Sequence, residues 1–319
     1  MTRVAAIDCG TNSLRLLIAD VDPSSGRLVD IAREMRVVGL GQGVDRTGEF
    51  AADALERTLA ATADYAAQCR AAGVDAVRFV ATSASRDARN RHLLVDGVRG
   101  LLGVAPEIIS GEEEANLSFR GALSALDASH ARPVLVVDLG GGSTELVLGV
   151  DSPAAALSMD VGCIRMTERH MDSDPPTAAQ IAGAERDIDA AIDRAFQVVP
   201  ARETGTIVGV AGSITTVTAH ALGLDRYDPQ AIHGARLTID QASASCDALI
   251  AATRAERAAM PYMHPGRVDS IGAGALVWRT VLRRVREEVR SAGGQLDHAV
   301  TSEHDILDGV ALGLADRAS

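Results

Sequence analysis

The sequence predicts an α/β protein made of two related halves, because the same hairpin pattern occurs twice. Residues 4–8 form a buried strand pattern that ends in aspartate, and a turn rich in glycine and hydroxyl residues connects it to the apolar run 14–21. Residues 134–138 also end in aspartate, and a turn with three glycines connects them to residues 145–150. The rest of the chain alternates between strand-like and helix-like periodicity, which is typical of sheets covered by helices.

The remaining elements follow from the spacing of apolar residues along the chain. Further strands are predicted near residues 28–38, 77–80, 107–109, 157, 206–210 and 299–301. Helices are predicted over residues 51–72, 87–102, 112–126, 177–199, 213–222, 239–253, 269–289 and 305–315. Residues 127–133 are the expected crossing between the halves, and residues 172–176 are an expected surface loop, because both are rich in turn-forming residues.

The composition is that of a soluble globular protein with two domains. The chain has 319 residues, of which 47% are hydrophobic and 23% are charged. It contains no uncharged apolar run of about 18 residues, and its first residues lack the pattern of a signal peptide. A cytoplasmic protein without a membrane span is therefore expected. The net charge of −12 disfavours nonspecific nucleic-acid binding.

Two residue types exclude whole classes of mechanism. The four cysteines are far apart and form no C-x-x-C pair, which argues against a zinc site and against a disulfide framework. The sequence contains no lysine, so all 31 basic residues are arginines. This composition excludes a Walker-type lysine and a Schiff-base lysine, and a phosphate would have to be held by arginine, backbone N–H groups and metal.

The turn that follows Asp138 carries the strongest chemical signal. Consecutive glycines directly after a buried strand let the backbone turn tightly and present N–H groups to an anion. The candidate phosphate-binding residues of this turn are Gly140, Gly141, Gly142, Ser143 and Thr144. Asp138 and Glu145 flank them and supply two carboxylates, a set that suits Mg²⁺ bound jointly by protein and phosphate. The alternative interpretation is a plain glycine-rich hairpin.

Two further turns have related compositions. The turn after the first strand contains the candidate phosphate-binding residues Gly10, Thr11, Asn12 and Ser13. As the partner of the second turn, it could grip a phosphate chain from the opposite side, with Asp8 as a further candidate metal ligand. A third turn places Gly212 and Ser213 between a strand and a helix, where N–H groups and the helix dipole favour an anion. Ser213 could equally be a simple N-cap.

Three adjacent acids, Glu112, Glu113 and Glu114, stand at the start of a predicted helix. Acids at this position interact favourably with the helix dipole, which is a purely structural explanation. The functional interpretation is that one of them is a general base for water attack on a phosphoanhydride. Arg86 follows a strand and a run of small residues, and its guanidinium would neutralise charge on the transferring phosphoryl group if it faces the same site. Taken alone, Arg86 could be a surface residue.

Taken together, the motifs resemble the exopolyphosphatase/guanosine pentaphosphate phosphohydrolase (Ppx/GppA) family. The segments that carry the resemblance are Asp8–Ser13, Ala81–Arg86, Ile109–Ala115, Asp138–Glu145, Gly162–Arg165, Gly209–Ser213 and His264–Gly272. They occur in order over nearly the whole chain, and this combination is far more specific than any one of them.

The resemblance implies two actin-like (ribonuclease H-like) domains of the sugar kinase/heat-shock/actin superfamily, with the active site in an interdomain cleft. The implied domains are residues 1–126 and 127–302, and a last helix at about 303–319 completes the first domain. Dependence on Mg²⁺, with room for a monovalent cation besides, and a homodimer are also implied.

The family's functional residues can be carried over by matching the motifs. The resemblance implies that Glu114 is the catalytic base and that Arg86 is the arginine of the cleft. It also implies that the phosphate-binding loop with its metal position lies between Asp138 and Glu145.

The expected activity is release of terminal phosphate from inorganic polyphosphate, with guanosine pentaphosphate or tetraphosphate, the alarmones of the stringent response, as alternative substrates. Aromatic residues make up only 3% of the chain and show no pair for stacking guanine, which favours polyphosphate. The sequence stops after the two expected domains and lacks the C-terminal HD-type extension of longer family members, which favours short polyphosphate. Two competing hypotheses are an actin-fold ATP-dependent kinase and a non-catalytic polyphosphate or alarmone sensor, and the glutamate cluster favours hydrolysis over both.

Overall fold

The computed structural model of the chain describes residues 1–22, 25 and 27–317. The strands are β1 (Thr2–Cys9), β2 (Ser13–Asp22), β3 (Arg27–Val37), β4 (Ala76–Ala81), β5 (Glu107–Ile108), β6 (Val134–Leu139), β7 (Thr144–Gly149), β8 (Pro153–Met159), β9 (Thr206–Val210), β10 (Arg236–Thr238) and β11 (His298–Thr301). The helices are α1 (Val44–Thr47), α2 (Ala52–Ala72), α3 (Ser83–Asp87), α4 (His92–Leu102), α5 (Gly111–Ala122), α6 (Cys163–His170), α7 (Ala178–Phe196), α8 (Gly212–Ala221), α9 (Pro229–Ile232), α10 (Ile239–Ala251), α11 (Arg254–Ala259), α12 (Ile271–Ser291) and α13 (Ile306–Arg317). Within this described part, no helix combines the length and the apolar character that a bilayer crossing requires.

The chain divides into two compact units, and each contains one sheet. Residues 1–121 form the first unit with the described residues from 306 onward, and residues 122–305 form the second. The strand order is β3-β2-β1-β4-β5 in the first sheet and β10-β11-β9-β6-β7-β8 in the second. In both sheets an antiparallel three-stranded meander is extended by two strands parallel to its first strand, and β10 joins the second sheet at its edge, antiparallel to β11. The prediction of two related α/β halves is therefore confirmed.

The first sheet buries both of its faces. On one face, Tyr65 of α2 and Leu94 of α4 belong to a continuous core with the strands. On the other face, Val310 of α13 belongs to a second core that includes Val4 and Leu17. Burial on both faces explains why β1 and β2 have nearly continuous apolar sequences instead of an alternating pattern.

Helix α12 lies at the centre of the second unit. Its apolar side, including the fully enclosed Trp278, packs against α6, α7, α8 and α10. Its partly exposed positions carry arginines that form ion pairs with acids of neighbouring helices. Arg279 pairs with Glu185, and both Arg283 and Arg284 pair with Asp189. These guanidinium groups therefore join helices within the unit.

The prediction of one helix over residues 87–102 is wrong, because α3 and α4 are separated at residues 88–91. Asn90 explains the break: its side-chain oxygen accepts a hydrogen bond from the Phe50 N–H at 2.9 Å, and its amide donates to the Phe50 carbonyl at 3.1 Å. The segment thus pairs with another stretch of backbone instead of continuing the helix. The short elements α6, α11 and β10 were absent from the prediction because so few residues show little periodicity.

Candidate active site

The N-terminus of α6 supports the glycine turn of the second unit from behind. The N–H of Gly140 donates to the carbonyl of Ser143 at 3.0 Å and closes the turn. The carbonyls of Gly140 and Gly141 accept hydrogen bonds from the first three N–H groups of α6, at 3.0, 2.9 and 3.1 Å. Because C=O and N–H of a trans peptide point in opposite directions, the N–H groups of Gly141 and Gly142 point away from α6. This is the arrangement that an anion-binding turn requires.

Asp138 and Glu145 lie directly opposite each other on β6 and β7, so their side chains share one face of the sheet. Asp138 is 6% exposed and Glu145 is 1% exposed. The Ser158 hydroxyl donates a hydrogen bond to Glu145 at 2.6 Å and orients its carboxylate. Like charges opposed on neighbouring strands repel each other, and a cation between them would remove that repulsion.

The carboxylate pair fits Mg²⁺ shared with a substrate better than a metal enclosed by protein alone. In the described part of the chain, no group of three or more His, Cys, Asp or Glu side chains is arranged to hold a metal ion. Mg²⁺ usually binds through one or two carboxylates together with water and substrate phosphate oxygens. Asp138 and Glu145 supply that number of oxygen ligands beside the glycine turn, so the residues present fit the ion that the resemblance implies.

The first unit contains the same turn with a different support. The N–H of Gly10 donates to the carbonyl of Ser13 at 3.0 Å, as in the second turn. The carbonyls of Thr11 and Asn12 accept hydrogen bonds from backbone N–H groups within residues 38–41, at 2.7 to 3.0 Å. The N–H groups that follow these carbonyls are therefore turned away from the supporting segment. The two turns predicted to be related are closed by the same backbone hydrogen bond, between the first residue of the turn and the fourth.

The residue opposite the strand-terminal aspartate differs between the two halves. Asp8 lies opposite Arg15, in the position that Asp138 and Glu145 occupy in the second hairpin. Nε and Nη2 of Arg15 donate to one oxygen of Asp8 at 2.9 and 2.7 Å. The first hairpin thus pairs its aspartate with an arginine, whereas the second hairpin places two carboxylates opposite each other. A metal on Asp8 would share that carboxylate with Arg15.

The three glutamates at the start of α5 have different surroundings. Glu112 is exposed, and Glu113 accepts a hydrogen bond from a buried arginine of β4 at 2.5 Å. Glu114 is 8% exposed and accepts a hydrogen bond from Nη1 of Arg86 at 2.7 Å. Burial raises the pKa of the Glu114 carboxyl above its usual range, and the positive charge of Arg86 opposes that rise. A buried carboxylate with a raised pKa has the properties of a general base, and Glu114 is the one of the three acids that is buried.

Replacing Arg86 by glutamine is expected to raise the pKa of Glu114 further, because the guanidinium is the main group that lowers it. A general base acts only when deprotonated, so activity is lost as the pH falls through the pKa of Glu114. The acidic limb of the kcat/KM profile should therefore move to higher pH in Arg86→Gln. Arg89→Gln, an exposed arginine paired with Glu49, is the control and should leave the limb in place. An acidic limb at the wild-type pH in Arg86→Gln would contradict the coupling.

The turn before α8 has an unusual backbone and a cation beside it. Ala211 precedes the helix with φ of 72°, a conformation that is unfavourable for a residue with a Cβ. The N-cap alternative for Ser213 is wrong, because Ala211 occupies the cap position. The guanidinium of Arg267 packs on Gly212, 2.5 Å from where a Cβ would lie, and donates to the Thr216 hydroxyl at 3.2 Å. The helix N-terminus and this guanidinium together favour an anion.

Two features of the site differ from the sequence interpretation. Thr144 is fully buried and donates its hydroxyl to the carbonyl of Val161 at 2.5 Å, so this group is committed to the protein interior. Arg15 was missed, although its spacing from Asp8 equals that between the two carboxylates of the second hairpin, a signal present in the sequence. Arg267 lies in the segment His264–Gly272 that carries the family resemblance, but nothing in that segment predicted that its guanidinium would pack on Gly212.

Comparison with known proteins gives this geometry a context. A profile of the Ppx/GppA phosphatase family matches residues 17–301. The chain is 48% identical over 322 residues to exopolyphosphatase 2 of Mycobacterium tuberculosis, with 99% of each sequence covered. A crystal structure described as that of an exopolyphosphatase-like protein is 47% identical with a TM-score of 0.96, covering 99% of this chain and 98% of the other. The crystal structure of the Aquifex aeolicus Ppx/GppA family member is 29% identical with a TM-score of 0.79, covering 100% of this chain and 99% of the other.

These similarities extend through both units and over nearly the full length of the compared chains. The repeated sheet topology confirms the prediction of two related α/β domains, and the Ppx/GppA family structure shares this fold over the whole chain. On the match to the family profile and on the identity to a relative of almost equal length, the chain belongs to the Ppx/GppA phosphatase family.

Proposed function

We propose that the chain is a phosphoanhydride hydrolase of the exopolyphosphatase type, which releases terminal phosphate from inorganic polyphosphate. The observation that carries the proposal is the buried Glu114 held by Arg86 in a member of a phosphatase family. Hydrolysis requires a base for water, whereas a non-catalytic sensor would gain nothing from a buried carboxylate near a polyanion. An ATP-dependent kinase is the second enzymatic class, and the family membership disfavours it.

In the proposed mechanism, N–H groups of the two glycine turns bind oxygens of the phosphate chain and fix the terminal phosphoryl group for in-line attack. Glu114 accepts a proton from water as the water oxygen bonds to the terminal phosphorus. The bond from that phosphorus to the bridging oxygen breaks, and the chain leaves one phosphate shorter. Arg86 balances the charge that develops on the phosphoryl oxygens.

Asp138 and Glu145 are the residues that would hold Mg²⁺ in this mechanism, with Asp8 as a further candidate on the first hairpin. When bound, the ion would neutralise phosphate charge and help to orient the chain. A monovalent cation is a second candidate cofactor in the same proposal. The carboxylates themselves keep phosphates away from the second turn when no cation is present, because like charges repel.

Polyphosphate is the preferred substrate in this proposal, and short chains are preferred to long ones. The low aromatic content offers little for stacking a guanine base, and the relative with 48% identity is named exopolyphosphatase 2. Guanosine pentaphosphate is the alternative, since the family includes enzymes for both. Phosphate release from short polyphosphate, long polyphosphate and guanosine pentaphosphate, compared as kcat/KM, decides between them. No release from any of the three by folded protein would overturn the hydrolase proposal.

Glu145→Gln is expected to raise the Mg²⁺ concentration that gives half-maximal activity by about 10- to 100-fold, because it removes one of two carboxylates that would bind the ion. The measurement is a Mg²⁺ titration of phosphate release from short polyphosphate. Glu203→Gln, an exposed acid of the same unit, is the matched control and should titrate like the wild type. An unchanged titration in Glu145→Gln would place the metal elsewhere.

A cytoplasmic homodimer is also part of the proposal. Its self-association is tested by sedimentation equilibrium of the purified chain across a range of concentrations. A monomer at all concentrations would overturn the dimer and leave the proposed chemistry in place.

A further inference from the structure

We propose that Arg165 is a positioning residue of the second glycine turn, where it fixes the peptide between Gly142 and Ser143. This inference rests on the proposed function, because it assumes that the turn binds phosphate. Arg165 lies in the first turn of α6 and is 9% exposed. Its Nε donates to the carbonyl of Gly142 at 2.7 Å, a short hydrogen bond with a charged donor.

The backbone of α6 orients only the first two peptides of the turn. Its N–H groups bind the carbonyls of Gly140 and Gly141, and the carbonyl of Gly142 is bound by the side chain of Arg165 instead. Gly142 lacks a Cβ, so the peptide after it can rotate with little steric cost. Because the N–H of Ser143 points opposite to the carbonyl of Gly142, Arg165 sets the direction of the third N–H donor.

The glycine turn of the first unit shows which hydrogen bonds Arg165 replaces in the second unit. The carbonyl of Asn12, which corresponds to that of Gly142, accepts hydrogen bonds from the N–H groups of Val38 and Gly39 at 3.0 and 2.9 Å. The first half thus uses two backbone donors where the second half uses one side chain. A side chain can be replaced without changing the backbone, so the second turn permits a direct test.

The test follows binding of inorganic tripolyphosphate with Mg²⁺ to ¹⁵N-labelled wild type and Arg165→Met. Affinity should fall by about 10- to 100-fold, as expected when a hydrogen bond with a charged partner is lost. The amide signal of Ser143 should no longer shift on binding, while that of Gly141, which α6 orients, should still shift. In phosphate release, KM should rise more than kcat falls. If Arg165 had a purely structural role, its loss would not change the Ser143 signal selectively. It would also not raise KM more than it lowers kcat.

Two further variants complete the test. Arg165→Lys keeps the charge without the Nε geometry, and the Ser143 shift should stay reduced; it also carries the test if Arg165→Met does not fold. Arg257→Met removes another buried arginine, whose partners are Asp174 and Thr253, and should leave tripolyphosphate affinity unchanged.

Three outcomes would overturn the proposal. One is a wild-type Ser143 shift in Arg165→Met, and another is full rescue by Arg165→Lys, which would assign the role to charge alone. The third is the absence of any tripolyphosphate shift in wild type, which would overturn the proposed function as well.

Discussion

Glu114→Gln is expected to lower kcat by about 10²- to 10⁴-fold, the range that a general base contributes. Glutamine keeps the size of the side chain and can still accept the hydrogen bond that Arg86 donates at 2.7 Å. The substitution therefore removes the basic group without opening a cavity, and KM should change little. The measurement is steady-state phosphate release from short polyphosphate with saturating Mg²⁺, using protein whose fold is verified by circular dichroism.

The matched control is Glu112→Gln, which makes the same chemical change in the same helical turn at an exposed position. This variant should retain the wild-type rate. A wild-type kcat in Glu114→Gln would contradict the assignment of the base. Loss of activity in Glu112→Gln instead would identify the exposed Glu112 as the base. Burial would then not be what distinguishes the base among the three acids.

Gly162→Ala is expected to lower kcat/KM by about 100-fold, since small displacements of binding groups have costs of that size. A Cβ at this position would lie 2.5 Å from the carbonyl carbon of Gly141 and 2.6 Å from the nitrogen of Gly142. Both are backbone atoms that cannot move without the turn. Either α6 or the glycine turn must shift, which should also lower the free energy of unfolding by about 1–3 kcal/mol.

Gly100→Ala is the control for this substitution, because the space around its Cβ position in α4 is open. It should raise the free energy of unfolding by about 0.5–1 kcal/mol, the usual gain from alanine in a helix interior. The free energy of unfolding is measured by urea unfolding, and kcat/KM is measured by phosphate release. A Gly162→Ala enzyme with wild-type activity and stability would show that the close approach to the turn is not required.

The sequence was sufficient to predict the backbone design of the site, because that design depends on local residue types. Glycine and hydroxyl residues after a buried strand predicted both turns, and their repetition predicted the two related sheets. The choice of Glu114 among three adjacent acids could not be made from the residues alone. Local pattern places all three at a helix start, and only the fold shows which one is buried against Arg86.

The roles of the residues that support the site could not be predicted from local sequence pattern. The side chain of Arg165 binds a carbonyl far back in the sequence, and Gly162 is needed only because α6 approaches the turn so closely. Such contacts depend on how distant segments meet. The helix α6 itself was not predicted, since eight residues with few apolar positions carry too weak a periodic signal.

The position of α13 in the first unit also sets an order of maturation on the ribosome. Residues 122–305 are continuous in sequence and can fold once they have emerged. The face of the first sheet that holds Val4 and Leu17 receives α13 only after residues 306–317 have been synthesised. At about 5–20 residues per second, that face waits on the order of ten seconds or more. The half of the chain that is translated first is therefore the half that matures last, and its sheet keeps one apolar face uncovered until synthesis is nearly complete.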